Sequence, residues 1–299
     1  MAPLPIPGLE RPVFPVVLGT AQVTHSGADL PASSWFRLWD DAVEAGVDTF
    51  DGAAHYGARS ERLLGRWLAS RRARDDVTLL HKVAHTPRCR PEAVAGELTG
   101  SLERLGIDRV DVLVLHRDDP AIPVGEFVDA LDAEVGSGRA GAAGVSNWTA
   151  ERAEAFDRYA AATGRARLAL VSNQLSLAEM VEPVWPGCLR ADERWHARTQ
   201  LPLLAWSSAA RGFFADRPDA DEEMQRCWLT AANSARRTRC RELAARVGGD
   251  PVTVALAWVL ARPYPTAAVV GPTSTAELEP ALAAARLALD PVDAAWLAG

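Results

Sequence analysis

Eight times along this chain a short apolar run stops at polar residues and gives way to a segment of helical period or to a long loop. The runs are 16–21 (VVLGTA), 47–51 (VDTFD), 77–82 (VTLLHK), 110–116 (VDVLVLH), 140–147 (AGAAGVSN), 168–174 (LALVSNQ), 201–206 (LPLLAW) and 267–271 (AAVVG). They are continuous rather than alternating, as strands buried on both faces should be. Helices are expected between them, at about 33–46, 60–72, 91–106, 124–138, 150–163, 234–247, 252–261 and from Thr275 onward. In the third of these Val94, Leu98, Leu102 and Leu105 recur at helical spacing. Long loops are expected at about 175–200 and 207–234, the second containing Gly212 and Pro218.

Repeated strand–helix units with right-handed crossovers build either an open doubly wound sheet or a closed eight-stranded barrel. The number of units and the 299-residue length favour the barrel. No GxGxxG follows the first strand, which weakens the dinucleotide-fold alternative. No Gly, Ser or Pro-rich linker divides the chain, so 1–299 reads as a single α/β domain, a (β/α)8 TIM barrel.

Composition narrows the partners. A net charge of -7 without a basic stripe argues against nucleic acid and anionic membrane, and leaves a small molecule as the default ligand. No apolar run approaches the ~20 residues of a membrane span, and the N-terminus lacks the pattern of a signal peptide. Cys89, Cys188, Cys227 and Cys240 form no CxxC pair and no metal-ligand spacing. They read as reduced thiols of a cytoplasmic protein with no metal. Nothing in the pattern sets an oligomeric state.

In a barrel of this kind the site lies at the C-terminal ends of the strands. Those ends carry Asp51, with Tyr56 five residues on, then Lys82, His116, Ser146–Asn147, Asn173–Gln174 and Trp206–Ser207. Taken singly, each has a plain structural reading: a turn carboxylate, a half-buried ring, a solvated lysine, a hydrogen-bonded histidine. At successive strand ends they make one mouth. Lys82 is the chain's only lysine among 32 basic residues. A phenol has a pKa near ~10 and is a weak acid at neutral pH, and a cation near its oxygen lowers that value. An ammonium is a compact, tunable charge, whereas a guanidinium is a broad fork that stays charged. An aspartate beside the lysine would hold it, and a histidine on the next strand would polarise a carbonyl.

The stretches Phe50-Asp51-Gly-Ala-Ala-His-Tyr56-Gly, Ser60-Glu61-Arg62-Leu-Leu-Gly65, Val114-Leu-His116-Arg-Asp118 and Gly144-Val-Ser146-Asn147-Trp148 resemble the aldo-keto reductase superfamily. The resemblance runs from about Leu18 to about Leu282. It implies a barrel that binds NADPH, or less often NADH, and reduces aldehydes and ketones reversibly. It implies Tyr56 as general acid, Lys82 as its partner, Asp51 paired with Lys82, and His116 as the substrate-orienting donor. It places Ser146, Asn147 and Gln174 at the nicotinamide carboxamide, Trp206 against the nicotinamide ring, and Thr20 near its ribose. Ser207, Ser208 and Arg211 match the loop over the pyrophosphate, and Gly271, Thr273, Ser274 and Glu277 the adenine end. There the chain departs from the family: Thr273 and Glu277 stand where basic residues are common, and Pro280 and Ala281 replace an acid–amide pair. NADP(H) is the family default, but a carboxylate close to a 2′-phosphate is unfavourable, so NAD(H) is a second expectation. His55 and Trp148 are expected near the substrate pocket.

Two other readings keep the barrel. A strand-end lysine is also the nucleophile of a Schiff-base aldolase, and a nucleotide-binding barrel without catalysis would serve as a regulatory protein.

Overall fold

A computed structural model of the chain describes residues 3–25, 27, 29–215 and 222–299. The strands are β1 (Val16–Gly19), β2 (Thr49–Ala53), β3 (Thr78–Val83), β4 (Val110–Leu115), β5 (Ala140–Ser146), β6 (Leu168–Ser172), β7 (Leu203–Ala205) and β8 (Thr266–Val270). They form one closed barrel in chain order, every neighbouring pair parallel, with β8 returning to β1. The helices are α1 (Gln22–His25), α2 (Ala32–Glu44), α3 (Ala58–Arg71), α4 (Pro91–Leu105), α5 (Val124–Gly136), α6 (Ala150–Thr163), α7 (Glu193–Thr199), α8 (Glu222–Cys227), α9 (Ala231–Val247), α10 (Pro251–Leu260), α11 (Thr275–Arg286) and α12 (Pro291–Ala298). The expected barrel is therefore the observed one. Its strands are buried along their length because helices cover one side and packed side chains the other.

The helix layer is fixed by side chains that the period places inward. Val94, Leu98, Leu102 and Leu105 of α4 are all buried. Burying each such chain is worth roughly 1.5–3 kcal/mol. Trp39 of α2, Trp67 of α3 and Phe50 of β2 form an aromatic cluster, with Trp67 5.8 Å from Trp39 and 5.1 Å from Phe50. The Trp67 indole N–H donates to Asp40 at 2.8 Å, so the buried ring leaves no polar atom unpaired. Gly65 is required where α3 meets α4, because a Cβ there would lie 2.2 Å from the Leu105 carbonyl oxygen. Helix starts follow their caps: Thr149, Thr230, Asp250, Ser274 and Asp290 each accept a backbone N–H of the first turn.

Several features depart from the expected pattern. Helix α9 begins at Ala231 rather than near 234, because Thr230 caps it. The stretches read as long loops hold two short helices, α7 and α8. Pro218 of the second stretch lies outside the described residues. The N-terminal segment forms an antiparallel bridge, Leu4 with Val13. It packs Leu4, Ile6 and Val13 against inward residues of the strands, including Val17, Val112 and Ala142. With Gly8 against Ala142 near the start of β5, this segment closes the end of the barrel opposite the site. Among the described residues no single helix is long and apolar enough to cross a membrane. The four cysteines are free and buried.

Candidate active site

Strand alternation decides which polar residues enter the mouth. On β2, Phe50 points to the helices and Asp51 into the barrel; on β3, His81 points outward to Glu61 of α3, 3.2 Å away, and Lys82 inward. β2 runs two residues past Asp51, to Ala53, and pairs Ala53 with Lys82, so Asp51 lies within the strand rather than at its end. A 3₁₀ turn, Ala54–Tyr56, follows at once and stops at Gly57, whose φ of 93° favours glycine. That turn carries the Tyr56 hydroxyl back over the strand end.

The three side chains close a triangle. Lys82 Nζ donates to Asp51 Oδ1 and, at 3.2 Å, to the Tyr56 hydroxyl oxygen; the Tyr56 O–H donates to Asp51 Oδ2 at 3.3 Å. Asp51 and Lys82 are each only 3% exposed in their side chains, so neither ion is solvated by bulk water. Burial disfavours the Lys82 ammonium, but the Asp51 carboxylate and the Tyr56 oxygen outweigh it and its pKa is raised. Burial pushes the Tyr56 phenol up to about 12, Asp51 adds to the rise, and Lys82 pulls the other way. Lys82 thus lowers the phenol's pKa as expected of a neighbouring cation, while the net shift is upward. Burial and a carboxylate at 3.3 Å exceed its effect. The phenol is held as a protonated donor.

His116 lies beside this triangle, its ring edge-on to Tyr56 at 5.7 Å. Its backbone is pinned from both sides: its N–H donates to the Val83 carbonyl at 2.7 Å, and its carbonyl accepts from Asn147 Nδ2 at 3.3 Å. Burial first, then the Lys82 charge, holds the imidazole well below its ordinary pKa, so the ring is neutral. Its Nδ1 is buried without a partner.

Around the other half of the mouth, Thr20 closes β1 by donating both its N–H and its hydroxyl to the Asp51 carbonyl, at 3.0 and 3.2 Å. Ser146 donates to the Ser172 carbonyl at 2.7 Å, and Asn147, at φ 58°, donates to Ser146 Oγ at 3.0 Å and accepts from the Leu189 N–H at 3.1 Å. Their hydroxyl and amide are thus engaged with the chain itself. Gln174 is different: its Nε2 donates to Ser176, but its Oε1 is buried with no partner. It is bridged to Trp206, whose ring is half-buried and whose Nε1 is likewise unpartnered. A half-exposed aromatic residue bridged to a residue with an unsatisfied buried amide oxygen suits a flat ring bearing a carboxamide, so Trp206 and Gln174 fit a nicotinamide.

The loop after β7 has three non-glycine residues in the left-handed region, Ser207, Ala210 and Arg211. Ser208 donates to the Val269 carbonyl at 2.8 Å, which ties the loop to β8. Arg211 is ion-paired with Glu223 of α8 and lies 5.1 Å over the Trp185 ring. After β8 Gly271 is exposed, Ser274 caps α11, and the Glu277 carboxylate accepts from the Thr273 N–H at 2.9 Å and its hydroxyl at 3.0 Å.

Of the two residues expected at the substrate pocket, His55 is exposed at the mouth, stacked on His85 with ring centroids 3.5 Å apart. Trp148 is not. It is 1% exposed, donates its N–H to the Arg117 carbonyl at 3.1 Å and packs on Phe127 and Phe156. Its ring is packed within the helix layer. His85, stacked on His55 and edge-on to His116 at 4.7 Å, and Arg117, which donates to it at 3.4 Å, lie beside these residues and are not singled out by spacing. The one signal for His85 was its place three residues past Lys82.

The sequence model of the Aldo/keto reductase family matches residues 15–298, and the chain belongs to that family. It is 28% identical to an uncharacterized oxidoreductase, YrpG, of Bacillus subtilis (strain 168), over 88% of this chain and 86% of that protein. It is also 28% identical to a 6-dehydroglucose reductase of Agrobacterium fabrum, over 92% and 90% respectively. A glycerol dehydrogenase from Gluconobacter oxydans shares the fold, with a TM-score of 0.79 at 21% identity, covering 99% of this chain and 93% of that one. The protein is accordingly an NAD(P)H-dependent oxidoreductase that interconverts aldehyde or ketone carbonyls and alcohols.

Proposed function

We propose that Tyr56 is the proton donor of this reduction, with Lys82 and Asp51 as its electrostatic partners and His116 as the residue that orients the carbonyl. The observation that carries this reading is the closed Asp51–Lys82–Tyr56 triangle beside a neutral His116. The nicotinamide, when bound, supplies a hydride to the carbonyl carbon. Tyr56 gives its proton to the carbonyl oxygen as negative charge develops there. Lys82, 3.2 Å from the phenol oxygen, stabilises the phenolate left behind, and Asp51 keeps the ammonium in place. His116 enters as a hydrogen-bond partner rather than an acid, because its ring carries no charge to lose. Gln174 and Trp206 are the residues best placed to hold the carboxamide and the ring. The chain acts as one barrel domain.

Two features support NAD(H) over NADP(H). Glu277 holds a carboxylate where a 2′-phosphate would approach α11, fixed there by Thr273. Arg211, the nearest expected cation, is already paired with Glu223. The Schiff-base alternative loses support from the same geometry. A nucleophilic lysine must be neutral, and Asp51 holds Lys82 charged. The relatives act by name on carbonyls as different as 6-dehydroglucose and norsolorinic acid, so the names leave the substrate open.

The test is turnover of a panel of aldehydes and ketones with each coenzyme, by wild type and Tyr56→Phe. Loss of turnover with coenzyme binding retained supports the reading. Full turnover in Tyr56→Phe contradicts it.

A further inference from the structure

Arg117 follows His116 just after β4 and is 6% exposed, yet among the described residues it has no ion-pair partner. Its Nε donates to His85 Nε2 at 3.4 Å and its Nη1 to Cys188 Sγ at 3.4 Å, both long contacts to acceptors without formal negative charge. Among the described residues no carboxylate forms an ion pair with it, and no hydrogen bond is made by its Nη2. The acids nearby are engaged elsewhere. Asp118 receives Arg152 at 3.1 Å, Asp119 accepts from the Ala121 N–H at 3.0 Å, and Glu97 binds Arg88 and the Ala84 N–H. Burying most of a guanidinium against uncharged acceptors alone is costly, so an anion from outside the chain is what this position lacks.

The surroundings aim that charge at the carbonyl site. His85 Nδ1 lies 2.8 Å from the Thr86 carbonyl and so carries the proton, which leaves Nε2 to accept from Arg117. The His85 ring then stacks face to face on His55 at 3.5 Å and meets His116 edge-on at 4.7 Å. Arg117, His85, His55 and His116 thus form one contiguous wall next to the Tyr56 hydroxyl.

We propose that this wall receives an anionic group of the substrate, a carboxylate or phosphate, while the carbonyl lies on Tyr56 and His116. The substrate class is then an aldehyde or ketone bearing a negative charge several bonds from the carbonyl. The proposal deepens the reductase reading and rests on it. Specificity arises as a difference between two affinities, so the charge is varied with the carbonyl held constant.

The experiment compares kcat/KM for succinic semialdehyde with its methyl ester, and for glyceraldehyde 3-phosphate with glyceraldehyde, in wild type, Arg117→Gln and Arg117→Lys. Wild type is expected to prefer one or both charged partners by about tenfold or more, and the favoured pair names the anion. Arg117→Gln is expected to erase that preference, with turnover of the uncharged partner and coenzyme affinity retained. Arg117→Lys keeps the charge and retains part of the preference, which covers the case in which the Gln variant folds poorly. Equal rates on charged and uncharged partners, or parallel losses on both in each variant, overturn the proposal. Calorimetric titration of 4-hydroxybutyrate and of inorganic phosphate into the coenzyme-bound protein decides without turnover. Binding of either that is lost in Arg117→Gln supports the anion wall even if every carbonyl fails, an outcome that would sink the reductase reading instead. Turnover indifferent to charge, with no binding of either anion, keeps the reductase and removes the wall.

Discussion

The barrel mouth and the start of α11 are built in opposite ways. On β2, β3 and the turn after β2, Asp51, Lys82 and Tyr56 bond to one another, with the Asp51 and Lys82 side chains only 3% exposed. At the start of α11, Thr273 and Glu277 also bond to one another, but on an exposed helix start. In the first place burial multiplies every charge interaction and makes the geometry decisive; in the second, solvent screens it. The carbonyl end is therefore expected to tolerate almost no change. A change at the exposed start of α11 is expected to cost the fold little.

The largest effect that would test this contrast is at Tyr56. Tyr56→Phe removes the donor and leaves the ring, and kcat is expected to fall by roughly 10²–10⁴, measured with coenzyme affinity beside it. A fall in affinity alone would erase the contrast. Asp51→Asn comes next. It strands the Lys82 ammonium in a site only 3% exposed, and breaking a buried pair costs roughly 3–5 kcal/mol. Urea unfolding should show that loss, whereas Glu277→Gln should change stability by less than about 1 kcal/mol. Glu277→Arg is expected to raise kcat/KM for NADPH about tenfold relative to NADH, near ~1.4 kcal/mol, with little change in kcat. An unchanged ratio would move coenzyme choice elsewhere. The smallest effect concerns pH. Burial first, then Lys82, holds His116 well below its ordinary 6.5, so the reduction profile should show no acid limb at that value. A limb there, lost in His116→Gln, would show that the ring titrates.

What the bare sequence revealed divides along the same line. The strands were legible because each is buried on both faces and so reads as an unbroken apolar run. Asp51, Lys82 and His116 were legible because each interrupts or closes such a run. Burial makes a polar residue conspicuous. Helices α7 and α8 were not legible, since six or seven residues show too little period. Nor was the N-terminal bridge, which Leu4 and Val13 form through one pair of backbone contacts. Trp148 read as a pocket residue because it follows the Ser146–Asn147 strand end. Its ring turns to Phe127 instead, and no spacing fixes a rotamer. The Arg211–Glu223 pair joins residues twelve apart across a loop, and the net rise of the Tyr56 pKa is a balance of burial and the Asp51 charge against the Lys82 charge. Both depend on distances that residue order does not carry.

The central claim is that the buried Lys82 ammonium, held by Asp51, stabilises the phenolate that Tyr56 leaves on giving up its proton. Fluorescence titration of NADH and NADPH against Lys82→Arg, followed by turnover on the same carbonyl panel, tests it most directly. The expected result is coenzyme binding close to wild type with kcat reduced by roughly 10² or more, because a guanidinium cannot take the compact place between Asp51 and the phenol oxygen. Turnover at the wild-type rate in Lys82→Arg would contradict the claim.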